Sequence, residues 1–329
     1  MTSRIRRLFA GEKRALRATS GHASQFGLGV YGRLAMKHRC VRSWLTLAVL
    51  LLFLCAPVIR ATPADATFPG SNGLIAFSSA KGGHFGIWTV HEDGSSLTKV
   101  VSTRLPPGGL AWSPDGKRIA FGRGGLHADL WVMRADGTGA HRITHGPADD
   151  FWPAWSPAGT RIAFERNGNL WIKNLLTGHA RQVTKAPAYL PDWSPSGGSI
   201  AFGRGGDLWT IAPDGTGLAR LTHTPNLFEA KPSWSPDGGR IVFGVVDASR
   251  EIYLRVMNAD GSDQVTLTPP STSVSSYGPA WSPDGSSIAF AQGVPFGYSH
   301  VWVMNSDGTN PVQITSGPTF IDTLGWQSA

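Results

Sequence analysis

The sequence predicts an all-β fold, a six-bladed β-propeller of four-stranded blades in which the C-terminal strand completes the first blade. The phrase Trp-Ser-Pro-Asp-Gly, or a close variant, recurs every 38 to 47 residues and is followed by an Ile-Ala-Phe-like triplet. Repeats of ~40 to 45 residues with four strands each are typical of propellers. The 329 residues also include 41 Gly and 23 Pro but only 16% charged residues. This composition favours short strands and tight turns over long helices or disorder.

Residues 1 to 66 are predicted to be a basic leader, and residues 67 to 329 form the propeller. Residues 44 to 59 are an uncharged apolar run, shorter than the ~20 residues of a membrane-spanning helix but suited to a secretory signal. The small residues around Ala66 fit a signal-peptidase site. We expect a signal peptide cleaved after Ala66. The alternatives are a true start at Met36 and an uncleaved membrane anchor, the only membrane contact we expect.

The leader also accounts for the charge and the cysteines of the chain. It holds 11 of the 30 Lys and Arg residues and only 2 of the 22 Asp and Glu residues, so the remainder is close to neutral. A neutral propeller has no basic stripe for phosphates, which argues against nucleic acid as a partner. Cys40 and Cys55 both precede the propeller, which therefore has no disulfide or thiol nucleophile. We expect an exported monomer, periplasmic or extracellular.

Within each repeat, the first strand ends in the tryptophan of the phrase. The Ser-Pro-Asp-Gly that follows predicts a turn, because Pro fixes φ and Gly accepts a positive φ. The large aromatic side chains are expected to stack between neighbouring blades. The repeat tryptophans are Trp112, Trp155, Trp193, Trp234, Trp281 and Trp326.

The next three strands also carry repeated signals. The second contains the Ile-Ala-Phe triplet, the third an aromatic residue ahead of an Asp-Gly turn, and the fourth an Arg-Ile-Thr-like piece. The triplet at Ile75 has no tryptophan-bearing strand before it, and the strand ending at Trp326 has nothing after it. Joining the two removes an open edge and predicts the C-terminal closure. Tyr253 lies two residues farther from its Asp-Gly turn than usual, which predicts a bulge or a longer strand in blade 5.

With these motifs the chain resembles the WD40-like PD40 repeat of the TolB propeller family. The resemblance covers residues 69 to 329 and implies a binding propeller of the cell envelope. It covers the propeller part only, because TolB proteins also have an N-terminal α/β domain that we do not find ahead of the first blade. Prolyl-oligopeptidase-like enzymes share the repeat, but their Gly-x-Ser-x-Gly motif does not occur in this sequence.

The candidate binding residues lie in the loops that vary between blades. These loops join the second strand to the third and the fourth to the next first strand, and they share one face, here called the variable face. Arg123, Arg166 and Arg204 stand two residues after the Phe of the second strand in three successive blades, which predicts a cationic arc for carboxylates or phosphates. The alternative is that each arginine pairs with a nearby acid. The candidate acids are Asp150, Asp192, Asp207 and Glu229.

Histidines on the same face suggest an enzymatic alternative. Some pectate-degrading lyases resembling this family hold a metal with propeller-face histidines, so a metal-dependent carbohydrate-active enzyme is the second hypothesis. The first is a non-enzymatic module without a cofactor that binds a protein or envelope component, and the third is a structural envelope scaffold. The candidate ligands are spread over separate loops, and no two of them form a His-x-His or His-x-x-x-His pair, which favours the first hypothesis. The candidate metal ligands are His84, His127, His145, His223 and His300.

Overall fold

The fold is seen in a computed structural model that describes residues 70–81, 84–124, 127–295, 297–317 and 319–328. These residues form six four-stranded antiparallel sheets arranged as a six-bladed β-propeller, which confirms the predicted fold class. The predicted leader, residues 1 to 66, lies outside the described residues. In the described part, no helix has the length and apolar character needed to cross a bilayer.

The strands of each blade are labelled A to D from the central channel outward. Blade 1 consists of β24 (Ile321–Ser328), β1 (Asn72–Lys81), β2 (His84–Val90) and β3 (Thr98–Thr103). Blade 2 consists of β4 (Leu110–Trp112), β5 (Arg118–Gly124), β6 (Ala128–Arg134) and β7 (His141–Arg142). Blade 3 consists of β8 (Asp150–Trp155), β9 (Arg161–Arg166), β10 (Asn169–Asn174) and β11 (Ala180–Gln182).

The other three blades repeat this order. Blade 4 consists of β12 (Tyr189–Trp193), β13 (Ile200–Arg204), β14 (Asp207–Ile211) and β15 (Ala219–Arg220). Blade 5 consists of β16 (Phe228–Trp234), β17 (Arg240–Val246), β18 (Ile252–Asn258) and β19 (Val265–Thr266). Blade 6 consists of β20 (Ser275–Trp281), β21 (Ser287–Gly293), β22 (Ser299–Asn305) and β23 (Val312–Gln313).

The ring is closed as predicted, because β24 lies beside β1 as strand A of blade 1. Ile75 pairs with Trp326 and Phe77 with Leu324. The Leu74 N–H also donates to Gln327 Oε1 at 2.9 Å. Two segments that are far apart in sequence thus share one sheet, and the described blades form a ring without an unpaired inner edge.

The Ser-Pro-Asp-Gly phrase forms a hydrogen-bonded turn between strands A and B. In blade 2, the Ser113 hydroxyl donates to Asp115 Oδ1 at 2.5 Å and accepts the Arg118 N–H at 2.9 Å. Gly116 has a φ of 64°, which glycine adopts without steric cost. These bonds show that the repeated acids are turn residues, as expected for Asx-type turns.

The Arg-Ile-Thr piece ends strand D with a side-chain cap. Thr144 Oγ1 accepts the N–H of Leu130 at 2.9 Å, and Arg142 Nε donates to the Thr144 carbonyl at 2.7 Å. The threonine bond satisfies a strand C N–H after the D strand has turned away from the sheet. The same bond is made in four further blades by Thr184, Thr222, Thr268 and Thr315.

The hydrophobic core is distributed between neighbouring blades. Phe121, Phe164, Phe202, Phe243 and Phe290 of strand B are all fully buried. Clusters cross from blade to blade, for example where Ala120 and Leu130 of blade 2 pack with Trp155 and Phe164 of blade 3. Each blade therefore depends on its neighbours to cover its apolar faces, which is the expected behaviour of a repeat architecture.

The expectation for blade 5 was wrong. β18 has seven residues, like β6 and β22, and its pairing with β17 runs without a register shift. Arg255, not Tyr253, occupies the position opposite the strand B phenylalanine, Phe243. The aromatic residue of strand C lies two residues earlier in blade 5, on the same face of a regular strand. Neither a bulge nor a longer strand is needed to explain its position.

Candidate functional site

The three arginines of the predicted arc lie at the variable-face ends of strand B in blades 2, 3 and 4. Each guanidinium stacks on the aromatic residue of the neighbouring strand C, at a distance typical of cation–π contacts. The distances from guanidinium carbon to ring centroid are 4.9 Å for Arg123 over Trp131, 5.0 Å for Arg166 over Trp171 and 4.9 Å for Arg204 over Trp209. The repeat thus places three cations in the same local geometry on adjacent blades.

Arg166 differs from the other two because it also forms a bidentate ion pair. Its Nε lies 2.6 Å from Asp150 Oδ1 and its Nη2 lies 2.7 Å from Asp150 Oδ2. Asp150 is 1% exposed, and its hydrogen bond and charge raise the pKa of Arg166. For Arg166 the structure therefore shows the local ion pair that was the alternative to ligand binding. Arg123 is exposed and Arg204 is partly buried.

The other candidate acids bind groups different from these arginines. Asp207 Oδ2 pairs with Arg220 Nη2 at 2.8 Å, and Asp192 Oδ2 accepts the N–H of Trp234 at 2.9 Å. Glu229 is fully buried and its Oε1 accepts the Thr224 hydroxyl at 2.7 Å. Burial raises the pKa of Glu229, and the charge of Asp207 adds to that shift. Glu229 therefore faces the interior and not a ligand in solution.

The candidate metal ligands are dispersed over the variable face. His127, His145 and His223 are exposed in separate loops. His300, in β22, is partly buried with its Nδ1 at 3.3 Å from Thr319 Oγ1, and burial lowers its pKa. The side chain of His84 lies outside what the structure describes. Among the described residues, no group of three or more His, Cys, Asp or Glu side chains could hold a metal ion.

The central channel contains a cavity of about 120 Å³ that is lined by strand A of every blade. The six repeat tryptophans border it near the Ser-Pro-Asp-Gly turns. Toward the variable face, the A strands of blades 3 to 6 are bulged. Three residues at these bulges, Trp152, Leu190 and Lys231, have φ values of 55°, 56° and 55° and line the cavity. This left-handed backbone turns their side chains into the channel.

Lys231 spans the channel from blade 5 to blade 1. Its Nζ donates to Thr323 Oγ1 at 3.1 Å and lies 5.9 Å from the centroid of the Trp152 ring. A Cβ on Gly278 of blade 6 would lie only 3.2 Å from this Nζ, so the glycine leaves the space through which the lysine passes. Burial lowers the pKa of Lys231 to about 8, and the charge of Asp322 opposes that shift. The channel therefore holds an amine whose pKa lies well below that of an ordinary lysine.

The comparison with known families agrees with this architecture. The model of the TolB beta propeller domain matches residues 75–277. The chain belongs to this family. The family resemblance predicted from the PD40 motifs is thereby confirmed, and the repeat motifs of the TolB family account for the turns and caps described above.

Solved TolB structures have the same fold. TolB from Acinetobacter baumannii is 22% identical, with 83% of this chain and 74% of that chain covered and a TM-score of 0.68. A putative TolB from Agrobacterium tumefaciens is 20% identical, with 79% and 100% covered and a TM-score of 0.60. A nidogen/laminin complex is 9% identical, with 77% and 98% covered and a TM-score of 0.62. Identities this low show a shared fold and no more. No curated protein matches the chain.

Sequence reasoning missed the channel residues of this TolB-family propeller. Trp152, Leu190 and Lys231 each precede a proline, and that proline stands two residues before the repeat tryptophan. A proline inside a strand marks a bulge or an edge, because it cannot donate to the ladder. The A strands of blades 3 to 6 all carry this proline, as Pro153, Pro191, Pro232 and Pro279. The signal was thus present in the motif, but only the ring shows which side chain it turns inward.

Proposed function

We propose that this protein is an exported, non-enzymatic binding module that contacts a protein or another envelope component through its variable face. The observation that carries the proposal is the arginine arc. Arg123 and Arg204 hold their guanidiniums on aromatic rings at equivalent positions of blades 2 and 4. A guanidinium held on a ring keeps its planar donors available for carboxylate groups of a partner. Membership of the TolB propeller family supports a protein as the partner.

Two further observations support export and binding over catalysis. The basic leader with its apolar run and small residues before Thr67 has the composition of a secretory signal, which favours a periplasmic or extracellular location. The variable face consists of loops on a rigid ring of sheets, the arrangement in which binding residues are commonly found. The candidate histidines lie in separate loops, so this face offers more to a binding partner than to a metal-dependent reaction.

The proposal is tested by crosslinking the exported protein in cells. The variant Arg123→Ala/Arg204→Ala removes the two exposed or partly exposed cations and leaves Arg166 in place, because its loss would strand the buried Asp150 carboxylate. The control, Arg134→Ala/Arg161→Ala, removes two exposed arginines from the opposite face. We expect a discrete crosslinked protein whose recovery by mass spectrometry falls at least fivefold in the arc variant and is unchanged in the control.

Two results would contradict the proposal. Equal loss of the crosslinked protein in both variants would mean that charge, and not the variable face, governs recovery. Turnover of a polysaccharide by the purified propeller would identify an enzyme in place of a binding module.

A further inference from the structure

Exposed apolar side chains on the variable face are concentrated at blade 6. Nine large apolar side chains are exposed in the described part of the chain, and four of them belong to the loops at this end of the blade. They are Val274, Val294, Tyr298 and Phe320, with exposures of 37%, 59%, 61% and 36%. These four residues are called the blade 6 patch.

The strand register brings the four residues together. Ser275 pairs with Gly293, and Gly293 pairs with Ser299. The N–H of Ser299 in turn donates to the Thr319 carbonyl at 2.9 Å. Each residue of the patch is the chain neighbour of one of these four bonded residues. The four residues of the patch therefore lie close together at the ends of β20, β21 and β22 and the start of β24.

The backbone under the patch is fixed by a buried polar network. The Tyr277 hydroxyl lies 2.8 Å from both Ser299 Oγ and the Ile321 carbonyl oxygen. The Ile321 N–H donates to Ser299 Oγ at 2.8 Å, and the Thr319 hydroxyl donates to the Ser299 carbonyl at 2.7 Å. A backbone fixed in this way does not have to be ordered when a partner binds, which lowers the entropic cost of binding.

Charge is absent from the sequence of all three loops that carry the patch. Residues 264–283, 285–299 and 308–321 contain no Asp, Glu, Lys or Arg, although variable-face loops of the other blades hold charges such as Arg104, Arg123 and Asp247. The loops consist largely of Ser, Thr, Gly, Pro and aromatic residues. Antibody binding loops combine rigid aromatic residues with small polar residues in a similar way, and protein interfaces are depleted of charge at their centres.

We infer that the blade 6 patch is a docking surface for an uncharged, apolar protein segment, with Tyr298 and Phe320 as its aromatic anchors. The inference rests on the proposed binding function and adds the chemistry of the partner segment at this part of the face. A segment without charged groups matches the patch because a charged group buried there would find no compensating charge in the three loops. A membrane surface fits less well, because the loops lack the basic residues that anionic lipids attract.

The probe for this inference is a displayed library of random 12-residue peptides, selected on the full exported protein. Selected peptides are measured by calorimetry against the wild type, against Tyr298→Ser/Phe320→Ser and against the matched control Leu176→Ser/Leu218→Ser. The control removes two exposed leucines from turns on the opposite face. Tyr298→Phe is included because it keeps the ring, and each variant is accepted only if its melting temperature matches that of the wild type.

We expect the selected peptides to be apolar and uncharged. Their Kd should rise at least tenfold in Tyr298→Ser/Phe320→Ser and change little in Tyr298→Phe or in the leucine control. Because the contact lacks charge, Kd should change less than about threefold between 50 and 500 mM NaCl.

Other outcomes would overturn the inference. Selection of acidic peptides that lose binding in Arg123→Ala/Arg204→Ala but not in Tyr298→Ser/Phe320→Ser would overturn the inference. The proposed function would remain intact. Failure to select any peptide on the variable face would remove support from both proposals. Self-association of the wild type that the patch variant abolishes would identify a second copy as the occupant. Patch-dependent binding to vesicles of neutral phosphatidylcholine would identify a membrane.

Discussion

Single residues in this propeller are explained by comparing equivalent positions around the ring. Glu165 follows the strand B phenylalanine of blade 3 and is 6% exposed. The other five blades place small residues there, namely Ser78, Gly122, Gly203, Gly244 and Ala291. In blade 3 a carboxyl group thus occupies a buried position that small residues occupy in the other blades. Burial raises the pKa of Glu165 to about 8.

The pKa of Glu165 predicts how stability depends on pH. The folded protein keeps a proton that the unfolded chain, with a pKa of about 4.5, releases. The stability present below pH 4.5 is therefore lost progressively as the pH rises toward 8, by up to ~1.4 kcal/mol per pH unit. We expect Glu165→Gln to unfold at higher urea concentration than the wild type at pH 8.5 and to lose most of that advantage at pH 5.

The control for this prediction is Glu92→Gln, which changes an exposed carboxylate. If the urea midpoints of the wild type and of Glu165→Gln change with pH by the same amount across this range, the Glu165 carboxyl titrates normally in the folded protein.

At the scale of single elements, the Asp-Gly turns between strands C and D pack closely against the preceding blade. Gly137 of blade 2 has a φ of 85°, and a Cβ at this position would overlap the carbonyl oxygen of Val100 in blade 1. Gly261 approaches the carbonyl of Leu221 in the same way. The glycine is needed for two reasons, the left-handed backbone and the close approach of the preceding blade.

A matched pair of glycines separates these two reasons. Gly178 in blade 3 has a φ of 74° but nothing within 4 Å of its Cβ position. Gly178→Ala should therefore lower the free energy of unfolding only by the left-handed cost of ~1 to 2 kcal/mol. Gly137→Ala should cost at least ~2 kcal/mol more, since the backbone of blade 1 must move. Urea denaturation measures both, and equal losses would show that the interblade contact is unimportant.

The motif analysis predicted the strands, the blade count and the closure because each of them depends on local repeats. The residues that the repeats do not determine were harder to predict. Arg166 binds Asp150 because antiparallel register sets the two opposite each other, and no spacing rule distinguished that acid from its neighbours. Lys231 reaches Thr323 across 92 residues of sequence, through space that Gly278 leaves open. Contacts of this kind depend on ring geometry, which a single sequence does not display.

The closure of the described ring depends on β24, which is the inner strand of blade 1 and packs against blade 2. Without it, β1 would expose an unpaired inner edge, and Leu110 and Trp112 of blade 2 would lose Gly325 as a neighbour. Because Asn72 pairs with Ser328, the first and last described strands meet. The ends of the described ring can therefore be joined without disturbing it.

This closure predicts opposite outcomes for two rearranged chains. A chain truncated after residue 317 should lose its cooperative thermal transition, because the ring stays open. A circular permutant that links residue 328 to residue 70 through a short linker, with new termini at the exposed Gly146, should melt within about 5 °C of the wild type. Circular dichroism melting compares the two, and a cooperative transition in the truncated chain would mean that five complete blades and a blade 1 without its inner strand suffice.

The position of β24 also sets the order in which the molecule can be completed during synthesis. The ribosome makes β1 early and β24 after the other described strands. The hydrogen bond from Leu74 N–H to Gln327 Oε1 can form only after 253 further residues have been synthesised. Blade 1 therefore lacks its inner strand for nearly the whole of translation, and contacts of such long sequence separation form slowly. A nascent chain that cannot close its ring stays unfolded for longer. Under the proposed export, we therefore expect late closure of the ring to lengthen the time in which the chain is unfolded and can be transported.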